Sequence, residues 1–305
     1  MNKGIMILGP TATGKTQLAA HVAFRVKGEI ISADSRQVYR GMDLGTGKDL
    51  HEYEVAGAQI PYHLINILDA GEQFDINNYY KQYEAILPGI LSRNHIPVVC
   101  GGSGLYLQTI VEGSALSTVP GNDVLRTELE PLTDDEINKR YESIRYQVDE
   151  LSQATTRKRR IRAIEIELWL RNNPMPERKP LDIAYTVFGV SLERKTVRDR
   201  ISRRLVQRLD EGMIEEVQQL LDSGIPIENL KWYGLEYRWI TQFLIGEVTR
   251  KEMEEGLEIA IHQFSKRQMT FFRKLEKSGW HIHWVDGTLP MDTKVNWTLE
   301  KAQLA

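Results

Sequence analysis

Residues Gly9, Pro10, Thr11, Ala12, Thr13, Gly14, Lys15 and Thr16 spell G-x-x-x-x-G-K-[ST], the pattern of a loop that cradles phosphate. The apolar run at 5–8 precedes it and the helix-like stretch at 16–26 follows, which is the context such a loop needs. Its glycines let backbone N–H groups converge on anionic oxygens, and the N-terminus of the following helix adds positive potential. Lys15 contributes a point charge, and the Thr16 hydroxyl suits Mg²⁺ travelling with the phosphates. The pattern specifies what is held, a phosphate or pyrophosphate. It leaves kinases, nucleotide hydrolases and diphosphate-displacing transferases open.

A carboxylate follows the second apolar run. In Ser32-Ala33-Asp34-Ser35-Arg36-Gln37, Asp34 sits at the carboxyl end of a strand-like segment, where open α/β sheets bind ligands. It should face the same crevice as Lys15. Three roles compete there: a carboxylate supporting a metal, a general base for an incoming nucleophile, or an Asp that caps its own turn.

These groups need a scaffold. Apolar runs at 5–8, 29–33 and 96–100 alternate with amphipathic stretches at 16–26 and 77–92. That alternation predicts an α/β fold: a P-loop core whose parallel sheet is flanked by helices. Residues 113–122 read as a loop. Residues 123–173 read as a helical segment broken at Pro131, and 186–192 return to a strand-like run. Val197, Ile201, Leu205 and Leu209 recur every four residues, as on an amphipathic helix, with 214–221 as its continuation. A further helix is expected over 251–277. The expected organisation is a core at 1–112, a helical insertion domain at 113–182, and a return to the core with C-terminal helices at 183–305.

Composition narrows the class. The 305 residues are 41% hydrophobic and 27% charged, ordinary for a globular chain, and the net charge of −3 shows no global basic excess. Cys100, the single cysteine, excludes an internal disulfide and favours a reducing compartment. No apolar run approaches the ~18 residues of a membrane span. A cytoplasmic protein with no membrane association is therefore expected; a monomer is also expected, though composition does not bear on it.

The motifs also come in a distinctive order. After 9–16 and Ser32–Tyr39 come Gly41-Met42-Asp43-Leu44-Gly45-Thr46-Gly47-Lys48 and Gly101-Gly102-Ser103-Gly104-Leu105-Tyr106. Then come Arg159-Arg160-Ile161-Arg162-Ala163-Ile164-Glu165, Arg200-Ile201-Ser202-Arg203-Arg204-Leu205, Gly212-Met213-Ile214-Glu215-Glu216-Val217 and Lys266-Arg267-Gln268-Met269-Thr270-Phe271-Phe272-Arg273. This series resembles the tRNA dimethylallyltransferases, also called tRNA isopentenyltransferases, over nearly the whole chain. The resemblance implies transfer of a dimethylallyl group from dimethylallyl diphosphate to N6 of the adenine 3′ of the anticodon, position 37, with diphosphate released. It implies that the loop at 9–16 holds the diphosphate, that Mg²⁺ is the cofactor with Thr16 as its ligand, that Asp34 takes the N6 proton, and that Arg204 supports the diphosphate. It further implies that Ser35, Arg36, Gln37, Ser103, Arg126, Arg159, Arg160 and Arg162 meet the tRNA anticodon stem-loop. On the loop alone, the alternative is a P-loop small-molecule kinase or nucleotide hydrolase. The chain departs from the family pattern at Asp49, at Asn66, at Ser103 (which keeps the hydroxyl of the usual Thr), ahead of Arg157, and at Ile261-His262-Gln263.

Three basic clusters stand out. Arg157-Lys158-Arg159-Arg160-Ile161-Arg162 holds five cations in six residues at the start of a helix, the end where the helix dipole disfavours them. That points to an anionic partner, against the plainer reading of a solvated face. Arg200, Arg204 and Arg208 lie four apart on one helix face. One of them is expected to reach the diphosphate, whereas Arg208 is expected to pair locally with Asp199, Asp210 or Glu211. Lys266, Arg267, Arg273, Lys274 and Lys277 flank Phe271 and Phe272, which read as core. Gln37 can read a base edge or tie a turn. His63 and His262 have no ligand-spaced partner, and Cys100 reads as buried and inert. Trp232 to Tyr237 are expected to pack between helices.

Overall fold

The computed structural model describes residues 2–113, 115–177 and 180–304. The chain forms two compact units, Met1–Val111 with Leu181–Ala305, and Glu112–Pro180. In the first, β1 (Asn2–Leu8) leads through the glycine loop into α1 (Lys15–Val26) and β2 (Gly28–Ser32). Two-residue strands β3 (Glu54–Val55), β4 (Ala58–Gln59) and β5 (Tyr62–His63) follow, then α2 (Ile76–Ser92), β6 (Ile96–Gly101) and α3 (Gly104–Glu112). The second unit carries α4 (Asp123–Leu129), α5 (Asp134–Glu142) and α6 (Arg157–Leu170). The chain then returns through β7 (Ile183–Ser191), α7 (Arg194–Asp210), α8 (Met213–Asp222), α9 (Ile227–Tyr233), α10 (Leu235–Leu244), α11 (Arg250–Lys277), β8 (Ile282–Asp286) and α12 (Met291–Lys301).

Six strands form one parallel sheet in the order β5-β2-β6-β1-β7-β8. The residues of β1 show why both faces are covered. Ile5 and Ile7 pack on one side with Leu18, Val22 and Phe188, while Met6 and Leu8 pack on the other with Tyr79, Tyr83 and Val187. Side chains alternate across a strand, so an unbroken apolar run needs helices on both faces. The register aligns the carboxyl ends: Leu8 lies beside Gly101, and Ser32 beside Cys100. The segments that follow β1, β2 and β6 therefore emerge at one edge. Among the described residues, no helix is long and apolar enough to cross a membrane.

Several expectations change in detail. The span 123–173 is three helices and a 3-10 turn at Asp149–Gln153, because both Pro131 and residues 143–148 interrupt it. The loop expected at 113–122 holds a 3-10 turn at Ala115–Thr118, and Ser114 lies outside the described residues. Residues 214–221 do not continue the helix before them: Gly212, at φ 102°, turns the chain between α7 and α8. Strand β8, with its sequence Ile-His-Trp-Val-Asp, was not expected, and it pairs only with β7 at the sheet edge. The second unit has its own core, with Ile137 and Ile164 fully buried among Leu125, Leu129 and Tyr141.

Candidate functional site

A cavity of about 530 Å³ opens at the carboxyl edge of the sheet, a size that suits a small-molecule or cofactor ligand. The phosphate loop forms its floor. Ala12 (φ 64°) and Gly14 (φ 84°) both adopt left-handed backbone, bending the loop so that α1 begins at Lys15. The Thr13 hydroxyl donates to the Pro10 carbonyl at 2.9 Å and closes the loop on itself. Gly9 has no room for a side chain: a Cβ there would come 2.9 Å from the Thr13 hydroxyl and 3.1 Å from the Val190 carbonyl.

A glutamine 257 positions away braces this loop. Gln268, buried on α11, accepts from the Thr11 N–H at 2.9 Å and donates to the Gly102 carbonyl at 3.0 Å. Gly102 approaches it so closely that a Cβ would lie 2.2 Å from the amide nitrogen. In the sequence Gln268 is one residue of the segment 266–273, with nothing that sets it apart. Its spacing to the loop carries no local signal.

Asp34 lines the same cavity as Lys15 and Thr16. One carboxylate oxygen accepts from the Arg36 N–H at 2.9 Å, so the turn-capping role is realised. Ser35 N–H donates to the Ser103 hydroxyl at 3.3 Å, which links the acid's loop to the glycine loop after β6. Gln37 is engaged at both ends of its amide, accepting from the Ser32 hydroxyl at 3.1 Å and donating to the Gly47 carbonyl at 3.2 Å. The Arg36 guanidinium lies 4.5 Å over the Trp232 ring and 5.3 Å from that of Tyr233, a cation–π arrangement. Trp232 remains 47% exposed, so it does not pack between helices as expected, whereas Tyr233 and Tyr237 are buried.

The positive groups converge on the loop. Lys15 lies below the ordinary lysine range, chiefly through burial and further through the Arg204 charge, while Cys100 and Asp34 act the other way. The Arg204 guanidinium donates to the Thr11 hydroxyl, and burial, reinforced by Arg208, pushes it down to about 10. Cations held together and stripped of water form a preorganised site for an anion. Cys100 is buried beside them, its thiol pushed up to about 12 chiefly by burial.

Arg208 corrects an expectation. It does not pair with Asp199, Asp210 or Glu211, but is buried against Asp49, with its Nη2 2.9 and 3.0 Å from the two carboxylate oxygens. Helix α7 turns this residue inward toward the loop after β2. Asp49, a departure from the family pattern, is thus the partner of a cavity arginine. Asn66, another departure, accepts from the buried Lys48 ammonium at 2.6 Å, which also donates to Asp43 at 2.7 Å. Glu216 on α8 anchors the same loop, accepting from the N–H groups of Asp43 and Leu44 at 2.7 Å, from that of Gly45 at 3.1 Å and from the Tyr237 hydroxyl at 2.7 Å. Phe272 is core as expected, but Phe271 lines the cavity.

The second unit carries the remaining expected contacts, and most of them are structural. Arg126 makes a two-point bond to the buried Glu165, at 2.6 and 3.0 Å. Arg162 joins Glu165 at 3.1 Å and donates to the carbonyls of Val119 and Pro120 at 2.6 and 3.2 Å. Arg160 binds the Asn138 amide oxygen and the Ala154 carbonyl, and Arg157 binds Asp134 and the carbonyls of Leu129 and Glu130 at the end of α4. Thr156 caps the start of α6. Within this run, among the described residues, Lys158 and Arg159 are the exposed cations without a side-chain partner.

A parallel α/β core with a phosphate loop, an acid beside it and buried arginines over it defines a class of enzymes acting on phosphorylated substrates. Comparison with known proteins makes it specific. The profile of the IPP transferase family matches residues 37–275, and the chain belongs to that family. It is 48% identical over 300 residues to tRNA dimethylallyltransferase 2 of Bacteroides fragilis, covering 97% of each chain. It is 44% identical over 286 residues to tRNA dimethylallyltransferase 1 of Geotalea uraniireducens, covering 93% of this chain and 92% of the other. The crystal structure of the tRNA isopentenylpyrophosphate transferase of Bacillus halodurans superposes with a TM-score of 0.72 at 29% identity, covering 99% of this chain and 97% of that one.

Proposed function

We propose that this protein transfers a dimethylallyl group from dimethylallyl diphosphate to N6 of adenine 37 in tRNA and releases diphosphate. The observation that carries this reading is an acid and an anion site lining one cavity: Asp34 together with Lys15, Thr16 and Arg204. The relatives named tRNA dimethylallyltransferase favour it over a small-molecule kinase or nucleotide hydrolase.

The diphosphate is held by the loop amides of Ala12, Thr13 and Gly14, by Lys15 and by Arg204. Charge develops on it as the C1–O bond breaks, and fixed cations that need no reorganisation stabilise that charge. Asp34 accepts the proton that leaves N6 as the nitrogen attacks. Phe264, Phe271 and Tyr106 supply apolar wall around the allyl group and exclude water from the reacting carbon. Thr16, which lines the cavity, is the residue that would hold Mg²⁺ there, and the ion would add charge neutralisation. Lys158 and Arg159 meet tRNA phosphates, and Ser35, Arg36, Gln37 and Ser103 meet the loop nucleotides. The protein acts as a cytoplasmic monomer.

The test is diphosphate release. It requires dimethylallyl diphosphate and unmodified tRNA together. Phosphate released from ATP, independent of tRNA, is the result that contradicts the proposal.

A further inference from the structure

Glu236 is an acid of the cavity that the mechanism above does not use. Glu236 lies in the first turn of α10 and lines the cavity with Arg204 and Arg208. The backbone there is unusual. Gly234 has φ 76°, and Leu235, a residue with a branched side chain, has φ 39°. Left-handed backbone at a non-glycine residue costs energy and persists where the surroundings enforce it, often at functional sites. It sits at the start of α10, whose second residue, Glu236, lines the cavity.

The groups around it sharpen the question. On α7, Arg204 is taken by the Thr11 hydroxyl and Arg208 by Asp49. On the loop after β2, Asp34 faces it as a like charge, and Glu52 is a further acid of the same cavity. Tyr237, the next residue, is bonded to Glu216. Among the described residues Glu236 has no ion-pair partner, and its carboxylate meets its own backbone N–H. An ionised, unpaired carboxylate in an anion site opposes the anion. A protonated one donates a hydrogen bond to it instead.

We propose that Glu236 is a proton-binding residue of the diphosphate site: it meets the bound diphosphate as the neutral acid, donates its O–H to a diphosphate oxygen, and returns the proton to solvent once diphosphate has left. The inference rests on the reading that this cavity takes a diphosphate. Burial holds the empty-site carboxyl up at about 7, with its own N–H and the two arginines pulling the other way. A diphosphate placed beside it raises the proton affinity further. Binding is then coupled to uptake of a proton.

The experiment is calorimetric titration of the full-length protein with inorganic diphosphate and Mg²⁺ at pH 8, in two buffers of different ionisation enthalpy. At that pH a carboxyl of pKa about 7 is roughly nine-tenths ionised, so the wild type takes up close to one proton more than Glu236→Gln. Equal uptake by the two proteins overturns the proposal. Failure of the wild type to bind diphosphate overturns the diphosphate reading of the cavity, a distinct result. A second measurement needs no variant to fold. The KM of the wild type for dimethylallyl diphosphate rises above pH 7, approaching about tenfold per pH unit, while kcat does not follow. A KM that stays flat from pH 7 to 9 also overturns the proposal. In Glu236→Gln the rise with pH disappears, whatever the variant's KM at pH 7.

Discussion

Gln268→Ala removes a strut that joins the phosphate loop to the loop after β6. Two bonds are lost, one from the Thr11 N–H and one to the Gly102 carbonyl. Gly102 is buried, so its orphaned carbonyl costs about 1–2 kcal/mol. Thr11 is half-buried and water can replace the partner of its N–H, so that loss is nearer about 1 kcal/mol. The stability change is then about 2–3 kcal/mol, and for a chain of this length the melting temperature falls by about 3–5 °C. The loop also loses its fixed position beneath Arg204, which itself bonds Thr11. A loss of about 1.4 kcal/mol of preorganisation weakens diphosphate binding about tenfold. Gln268→Glu separates the two effects. It keeps an acceptor for Thr11, but it sets a carboxylate oxygen against the Gly102 carbonyl and adds negative charge beside an anion site. Diphosphate binding therefore falls further in Gln268→Glu than in Gln268→Ala. Thermal denaturation and calorimetric titration with inorganic diphosphate measure both quantities. A Gln268→Ala protein that melts within about 1 °C of the wild type and binds diphosphate equally well refutes the reasoning.

Three further outcomes are expected. Glu29 is buried and bonded by Arg93, His63 and His95, and the Arg93 hydrogen bond chiefly lowers its pKa to about 2. A carboxyl depressed in the folded state contributes stability above its unfolded pKa of about 4.5 and loses it as pH falls toward 2. Because its partners are half-exposed and solvent screens them, the contribution is about 2 kcal/mol. Glu29→Gln should be less stable at pH 7 and should lack this loss between pH 5 and pH 2 in urea titrations, and a parallel pH dependence in both proteins contradicts it. Replacing Lys158 and Arg159 with Ala should reduce the salt slope of tRNA binding by about 1 per cation without lowering the melting temperature, whereas Arg162→Ala should lower the melting temperature through its lost carbonyl and Glu165 bonds. The opposite pattern in filter binding and denaturation reverses those assignments. Asp34→Ala should cut kcat about 10²–10⁴-fold with tRNA affinity little changed, and normal turnover removes Asp34 as the base.

The phosphate loop was legible because its chemistry is contiguous: eight neighbouring residues, a strand before and a helix after. Asp34 was legible for the same reason, as an acid that directly follows a buried strand. Four of the six strands of the sheet followed from alternating apolar runs; β5 is only two residues long, and in β8 His283 and Trp284 break up a short edge strand and hide its pattern. What escaped was non-local. Gln268 reaches Thr11 across the whole fold, and Glu216 holds a loop more than 170 positions earlier. Periodicity placed Arg208 on the face of Arg204, but only the packed structure shows that Asp49 waits there. Charge density was informative about the run at 157–162 and silent on its division of labour. Its five cations were indistinguishable in sequence, yet carbonyls and polar side chains of the second unit occupy Arg157, Arg160 and Arg162 and leave Lys158 and Arg159 free. Glu236 carries no motif at all, and its interest arises from its place in the cavity, just after a strained turn.

The most direct test of the account is transfer of label from dimethylallyl diphosphate into unmodified tRNA, with free AMP as a competing acceptor and the labelled nucleoside identified after digestion. The account predicts label on N6 of adenine 37 in tRNA and none in AMP. Label in AMP with tRNA untouched contradicts it.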